Sequence, residues 1–206
     1  MRTAWTAIVA GAFILGYAGI ARAQSADSPD VEIETSLGDI TVALDRAHAP
    51  VTVDNFLHYV NEGHYDGTLV YRVVPGFVIQ AGSYDSGTSQ RPVHDPIALE
   101  AGNGLSNLRG TIAMARDSDP KSATAEFFIN LADNVRLDRQ PDDADGTTGY
   151  AVFGRVVSGM DVVDKIAAVA LGTGGPMPGA FPVEPVRIQK IGIVSAASAG
   201  TPPAGP

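Results

Sequence analysis

The chain has no cysteine. Disulfides, thiolate nucleophiles and zinc–thiolate sites are therefore excluded. Positive charge is scarce: 14 Lys and Arg stand against 23 Asp and Glu, for a formal net charge of −9. An acidic surface repels phosphate backbones and anionic lipid, so neither nucleic acid nor a membrane surface is an expected partner. There is no G-x-S-x-G elbow, no Walker loop and no G-x-G-x-x-G. Hydrolysis, phosphoryl transfer and hydride transfer thus lack their usual signatures. His48, His58, His64 and His94 show no metal-ligand spacing with one another and read as surface residues. The acidic stretch Asp142-Asp143-Ala144-Asp145-Gly146 fails as a calcium loop. With Gly146 as the invariant glycine, Pro141 falls at the first ligand position and Val152 at the last. No metal and no cofactor are expected.

Long apolar runs are also absent, with one exception. Arg2 precedes an uncharged stretch from Thr3 to Ala21, strongly apolar between Ala7 and Leu15 and followed by Ala21-Arg22-Ala23. A basic start, an apolar centre and an A-x-A site describe a secretory signal peptide, with cleavage after Ala23. The expected organisation is a signal peptide over 1–23, a linker over 24–30, one domain over 31–194 and a disordered Ala/Gly/Pro tail over 195–206. A periplasmic or secreted location follows, with no membrane attachment after cleavage.

The 206 residues suit one domain with a substantial core. Val31, Ile33 and Thr35 alternate with Glu32 and Glu34. After a Leu37-Gly38 turn, Ile40, Val42 and Leu44 alternate with Thr41 and Ala43, which predicts a hairpin. Pro50 suits the first turn of a helix whose stripe is Val53, Phe56, Leu57 and Val60, ended by Gly63. Strands are expected at 68–74, 77–81, 111–115, 127–131, 150–157 and 186–194. A long loop spans 82–107, with room for a short strand at 97–99. A second helix is expected to be capped by Ser158 and to bury Val162, Val163, Ile166 and Ala170. About eight short strands without regular strand–helix alternation argue against a parallel doubly wound sheet. Closure into an antiparallel barrel would remove exposed edges, with the helices plugging its ends.

One segment carries chemistry. Tyr71-Arg72-Val73-Val74-Pro75-Gly76-Phe77-Val78-Ile79-Gln80-Ala81-Gly82 sets an arginine, an aromatic and an amide on two strands joined by a tight turn. It resembles the F-H-R-V-x-P-x-F-M-I-Q-G-G signature of cyclophilins. Ala49–Phe56, Tyr65–Thr68, Arg109–Arg116, Glu126–Asn130 and Tyr150–Met160 resemble further motifs of that family, in the same order. Tyr150 together with a signal peptide is most similar to the bacterial periplasmic members.

The resemblance implies a mainly β fold, an eight-stranded antiparallel closed barrel capped by two α-helices, with an active groove on its outer face. It implies peptidyl-prolyl cis–trans isomerase activity without a cofactor. By position, Arg72 is the implied catalytic residue, and Gln80 acts with it on the substrate backbone. Phe77, Val78, Phe128 and Leu137 line the implied proline pocket, with Met114 behind it. Ala115 and Arg116 position the substrate chain, Glu126 lies beside the groove and Tyr150 is on its rim. The implied partners are proline-containing unfolded or exposed segments, met by a monomer. Three positions depart from the family pattern. Val78 stands for a methionine. Glu126 stands for a glutamine and could pair with Arg72 or Arg116. Arg136 stands for a flanking aromatic, which implies weak cyclosporin binding. The competing reading is a chaperone that binds proline segments without turnover.

Overall fold

The computed structural model describes residues 28–194; the expected signal peptide, most of the linker and the expected tail lie outside the described residues. The elements run β1 (Asp30–Thr35), β2 (Gly38–Leu44), α1 (Pro50–Asn61), β3 (Val70–Val74), β4 (Val78–Ala81), β5 (Thr111–Met114) and β6 (Phe127–Asn130). A 3-10 turn (Val135–Leu137), β7 (Val152–Ser158), α2 (Met160–Ala167), β8 (Leu171–Gly172), β9 (Phe181–Pro182) and β10 (Ile188–Val194) follow. Eight strands form one antiparallel sheet in the order β10-β1-β2-β7-β5-β6-β4-β3, and β8 and β9 pair separately.

Alternation builds the sheet. Val31 faces Val42 and Ile33 faces Ile40 across β1 and β2, and all four are buried. Thr35 Oγ1 closes the turn, donating to the Gly38 carbonyl at 2.6 Å and accepting from Leu37 N–H at 3.1 Å. The sheet is strongly curled, and the residues just before its two end strands approach each other. Leu69 bridges Arg187, Gly67 N–H donates to Ile188 O at 2.8 Å, and Val70 N–H donates to Val186 O at 2.9 Å.

Helix α1 starts at Pro50 without a local side-chain cap. Its first amides are satisfied from the long loop instead. The Glu100 carboxylate accepts from Val51 N–H at 3.1 Å and from Thr52 N–H at 2.8 Å. A carboxylate at a helix N-terminus meets both unpaired donors and the positive end of the dipole. The helix buries Val53, Phe56, Leu57, Tyr59 and Val60. It stops at Gly63, whose φ of +68° only glycine adopts freely.

Four expectations differ from the structure. Ser158 does not cap α2; it is the last residue of β7, and Gly159 at φ 85° is the N-cap. A Cβ on Gly159 would collide with the Asp39 carbonyl, so the strand-to-helix corner admits glycine and no side-chain cap. Ala170 is exposed beyond the helix, which buries Val162, Val163 and Ile166. The strand foreseen at 97–99 is a single bridge, Ile97 to Ala123. The histidines also do not all stand apart: the rings of His58 and His94 are 4.9 Å apart.

Inside the curl, Phe56 meets Tyr65, Phe127 and Phe153 at ring-centroid distances of 5.2, 5.5 and 5.2 Å. The interior void beside Ile33, Ile79 and Ile129 is about 10 Å³. That holds at most about one water, so the interior is packed core with no room for a larger ligand.

Candidate active site

Because side chains alternate along a strand, the residues between the core positions point outward. Register then lines them up across the sheet. Arg72 on β3 faces Gln80 on β4, Gln80 faces Phe128 on β6, Phe128 faces Ala113 on β5, and Ala113 faces Val152 on β7. One outward row therefore passes from a cation, through an amide, to an apolar floor. Pro75 and Gly76 set the start of this row by turning β3 into β4; Gly76 has φ +71° and Phe77 N–H donates to Val74 O at 2.9 Å.

The floor is a separate outer cluster of Val78, Ala113, Ala115, Phe128 and Val152, walled by half-buried Phe77, Leu105, Leu137 and Tyr150. Tyr150 packs edge-on against Phe128 at 5.6 Å. The Phe77 carbonyl accepts from Leu131 N–H at 2.8 Å and from Asn134 Nδ2 at 2.9 Å, which fixes the Phe77 wall. Leu137 is held by Tyr150 N–H donating to its carbonyl at 2.9 Å.

The polar end is a chain with one consistent orientation. Arg72 Nη1 donates to Gln80 Oε1 at 3.0 Å. Gln80 Nε2 donates to Tyr71 OH at 2.5 Å and to Glu126 Oε2 at 3.0 Å. Ser83 Oγ donates to Glu126 Oε1. A carboxylate only accepts, so Glu126 forces the amide nitrogen of Gln80 toward itself and leaves the amide oxygen for Arg72. Burial, then the nearby Glu126 charge, raises the Tyr71 pKa far above that of an ordinary phenol, so its O–H stays protonated. Arg72 lies 5.9 Å from the Phe77 ring centre and Arg136 lies 4.6 Å from it.

The structure brings Arg72, Gln80, Phe77, Val78, Ala115, Phe128, Leu137 and Tyr150 to one groove. Met114 is not among them: it is 2% exposed and belongs to the inner core, and Ala113 takes the outer position. Glu126 pairs with neither Arg72 nor Arg116 but acts on Arg72 through Gln80. Arg116 turns instead to the neighbouring loop, donating to Gly149 O at 2.9 Å and Thr147 O at 3.1 Å, with its guanidinium 5.1 Å from the Tyr150 ring centre. The sequence reading missed Ala113, Val152, Leu105, Tyr71 and Ser83. For Val152, alternation with the core residue Phe153 was an available signal; for Ala113, the register shift after Ile112 obscured it.

A recess of about 200 Å³ adjoins the polar end, lined by Ser83, Gln90, Arg91, Ala115, Arg116 and Glu126. A wider cleft of about 790 Å³ crosses β2, β7 and β5 and shares Leu105 and Val152 with the groove. It contains none of Arg72, Gln80 and Glu126.

The curled antiparallel sheet thus carries on its outer face an apolar cluster beside a guanidinium held by Gln80. Comparison makes the class specific. The family described as cyclophilin type peptidyl-prolyl cis-trans isomerase matches residues 30–193. Peptidyl-prolyl cis-trans isomerase A of Dickeya dadantii (strain 3937) is 49% identical over 81% of this chain and 85% of its own. Peptidyl-prolyl cis-trans isomerase B of Escherichia coli (strain K12) is 47% identical over 79% of this chain and 98% of its own. A cyclophilin type peptidyl-prolyl cis-trans isomerase of Cryptosporidium parvum, crystallised in the presence of the dipeptide Ala-Pro, superposes with a TM-score of 0.65. It is 24% identical, and the match covers 81% of this chain and 99% of that one. The chain belongs to the cyclophilin-type peptidyl-prolyl cis–trans isomerase family.

Proposed function

We propose that the groove catalyses rotation about X–Pro peptide bonds, with Arg72 as the catalytic residue and the Val78–Ala113–Phe128–Leu137 pocket holding the proline ring. The observation that carries this is the cross-strand row in which Arg72 and Phe128 flank Gln80 on one face. The peptide C–N bond resists rotation by about 18–20 kcal/mol because of resonance. Twisting it localises a lone pair on the prolyl nitrogen. A guanidinium aimed there binds the twisted state better than the planar one, which is what catalysis requires. No bond is made or broken, and no nucleophile is needed. Reducing exchange from roughly tens of seconds to about a millisecond requires on the order of 7 kcal/mol. One charged donor in a preorganised site supplies about 3–4 of these. Holding the ring while the preceding carbonyl swings supplies the remainder. The deciding experiment compares exchange of an X–Pro peptide by wild type and Arg72→Ala. Equal peptide affinity with no acceleration by wild type would favour binding without turnover.

Glu126 is a positioning residue in this scheme. Glu126→Ala removes the group that fixes the Gln80 amide and leaves Ser83 without its acceptor. A net hydrogen bond of about 1–1.5 kcal/mol corresponds to a loss of roughly tenfold in kcat/KM. The loss should fall mainly on kcat, with peptide affinity kept; an unchanged kcat would sink the role. Arg136 covers Phe77 where the family pattern has an aromatic, so the expectation for cyclosporin is weak inhibition, checked by an inhibition titration in which a nanomolar constant would contradict it.

The reading extends to cell biology and to closure of the fold. The enzyme serves proline-containing unfolded or exposed segments outside the cytoplasm, as a monomer, after signal removal. Its support is the Arg2-to-Ala23 pattern and the bacterial relatives. N-terminal sequencing of exported protein should begin at Gln24, and an intact Met1 would refute cleavage. The sheet works as a closed barrel, supported by the isolated Leu69–Arg187 bridge between the residues just before its two end strands.

A further inference from the structure

The connection between β4 and β5 returns over the last turn of α1 at His94. Its backbone N–H donates to the hydroxyl of fully buried Tyr59 at 2.8 Å, so the core itself sets its position. Glu62 stands between two imidazoles there. Its Oε2 is 2.7 Å from His94 Nε2, and its Oε1 is 3.3 Å from His58 Nε2. His58 and Glu62 are one helical turn apart and share a face. The three ligand atoms lie within 4.8 Å of one another. Bonds of about 2.0–2.2 Å in a tetrahedral zinc site place ligand atoms roughly 3.3–3.5 Å apart. The three side chains are exposed, so their rotamers are free to adjust toward that spacing. His64, nearby, is engaged with the Gly82 carbonyl at 2.9 Å and stays outside the set.

We propose that His58, Glu62 and His94 bind a divalent transition-metal ion such as Zn²⁺, fastening the β4–β5 loop to the end of α1. Two imidazoles and one carboxylate suit zinc and its neighbours better than calcium or magnesium, which prefer all-oxygen shells. Water completes the coordination, since the cluster faces solvent. The fastened loop also carries Gln90, Arg91 and Val93, which line the recess beside the groove. A bound ion therefore steadies that wall.

The test is calorimetric titration of tag-free protein with ZnCl₂ alone. Wild type should show one saturable site. His58→Ala and His94→Ala should each weaken it roughly tenfold or more, since even a ligand's hydrogen-bond partner is worth about 10–100-fold, whereas His48→Ala, on the turn before α1, should not. Circular dichroism of the variants should match wild type, because the replaced side chains are exposed. No saturable binding, or binding that either histidine variant leaves unchanged, overturns the site. No proline substrate enters the measurement, so its outcome is separate from that of the isomerase assay.

Discussion

Arg72→Ala should lower kcat/KM for X–Pro exchange by two to three decades while leaving the protein folded. The magnitude follows from the donor it removes: about 3–4 kcal/mol in a preorganised site, at about 1.4 kcal/mol per decade. Survival of the fold follows from its position. Arg72 points outward from β3 and is half-buried, and its hydrogen bond within the protein is to Gln80. Gln80 keeps Tyr71 and Glu126 after the change. Arg72→Lys should lose most of the rate as well. An ammonium on a flexible stem cannot hold Gln80 and a prolyl nitrogen with one planar fork. Line-shape or exchange NMR on an X–Pro peptide reads the rate, and titration of the same peptide reads affinity. A rate near wild type would remove Arg72 from the chemistry. A loss confined to KM would make it a uniform binder of substrate and transition state alike.

Periodicity exposed the elements whose two faces differ in chemistry. The β1–β2 hairpin is legible because Glu32 and Glu34 separate Val31, Ile33 and Thr35, and α1 because Val53, Phe56, Leu57 and Val60 form one stripe. Arg72, Gln80 and Phe128 were legible because they occur in ordered motifs. The failures came where the answer depended on phase or on distant chain. Met114 and Ala113 are adjacent apolar residues in a strand with no polar side to reveal which faces the core. The register also shifts between Ile112 and Ala113, which disturbs a count by alternation. Ser158 looks like a cap, but the close approach of the Asp39 carbonyl to Gly159 is set by β2, far away in sequence. Glu100 caps α1 across 48 residues. His58 and His94 become neighbours only because the long loop returns over Tyr59. The orientation of Glu126 toward Gln80, rather than toward either arginine, depends on the tertiary position of Ser83 and Tyr71.

Phe56→Ala should cost about 3–5 kcal/mol of stability and leave the chemistry of the folded fraction almost intact. Phe56 is completely buried. It joins α1 to the sheet through Phe127 and Phe153 and to the turn after the helix through Tyr65. Tyr65 in turn donates from its hydroxyl to the Ala125 carbonyl at 2.9 Å, just before β6. Removing the ring leaves a cavity that the strands cannot collapse into without breaking their ladders, so the cost should lie well above simple transfer. At roughly 2–4 °C per kcal/mol for a domain of this size, Tm should fall by on the order of ten degrees. Urea unfolding should show a lower midpoint with an unchanged slope. The groove is spared by geometry: Phe127 faces Phe56, while its neighbour Phe128 faces outward into the outer apolar cluster. The two substitutions therefore make opposite demands on one sheet. Arg72→Ala should separate rate from stability in one direction and Phe56→Ala in the other. A Phe56→Ala protein that unfolds within about 1 kcal/mol of wild type would mean that α1 is not fastened through this cluster. Loss of activity at temperatures where it remains folded would mean that the inner and outer faces of β6 are mechanically coupled.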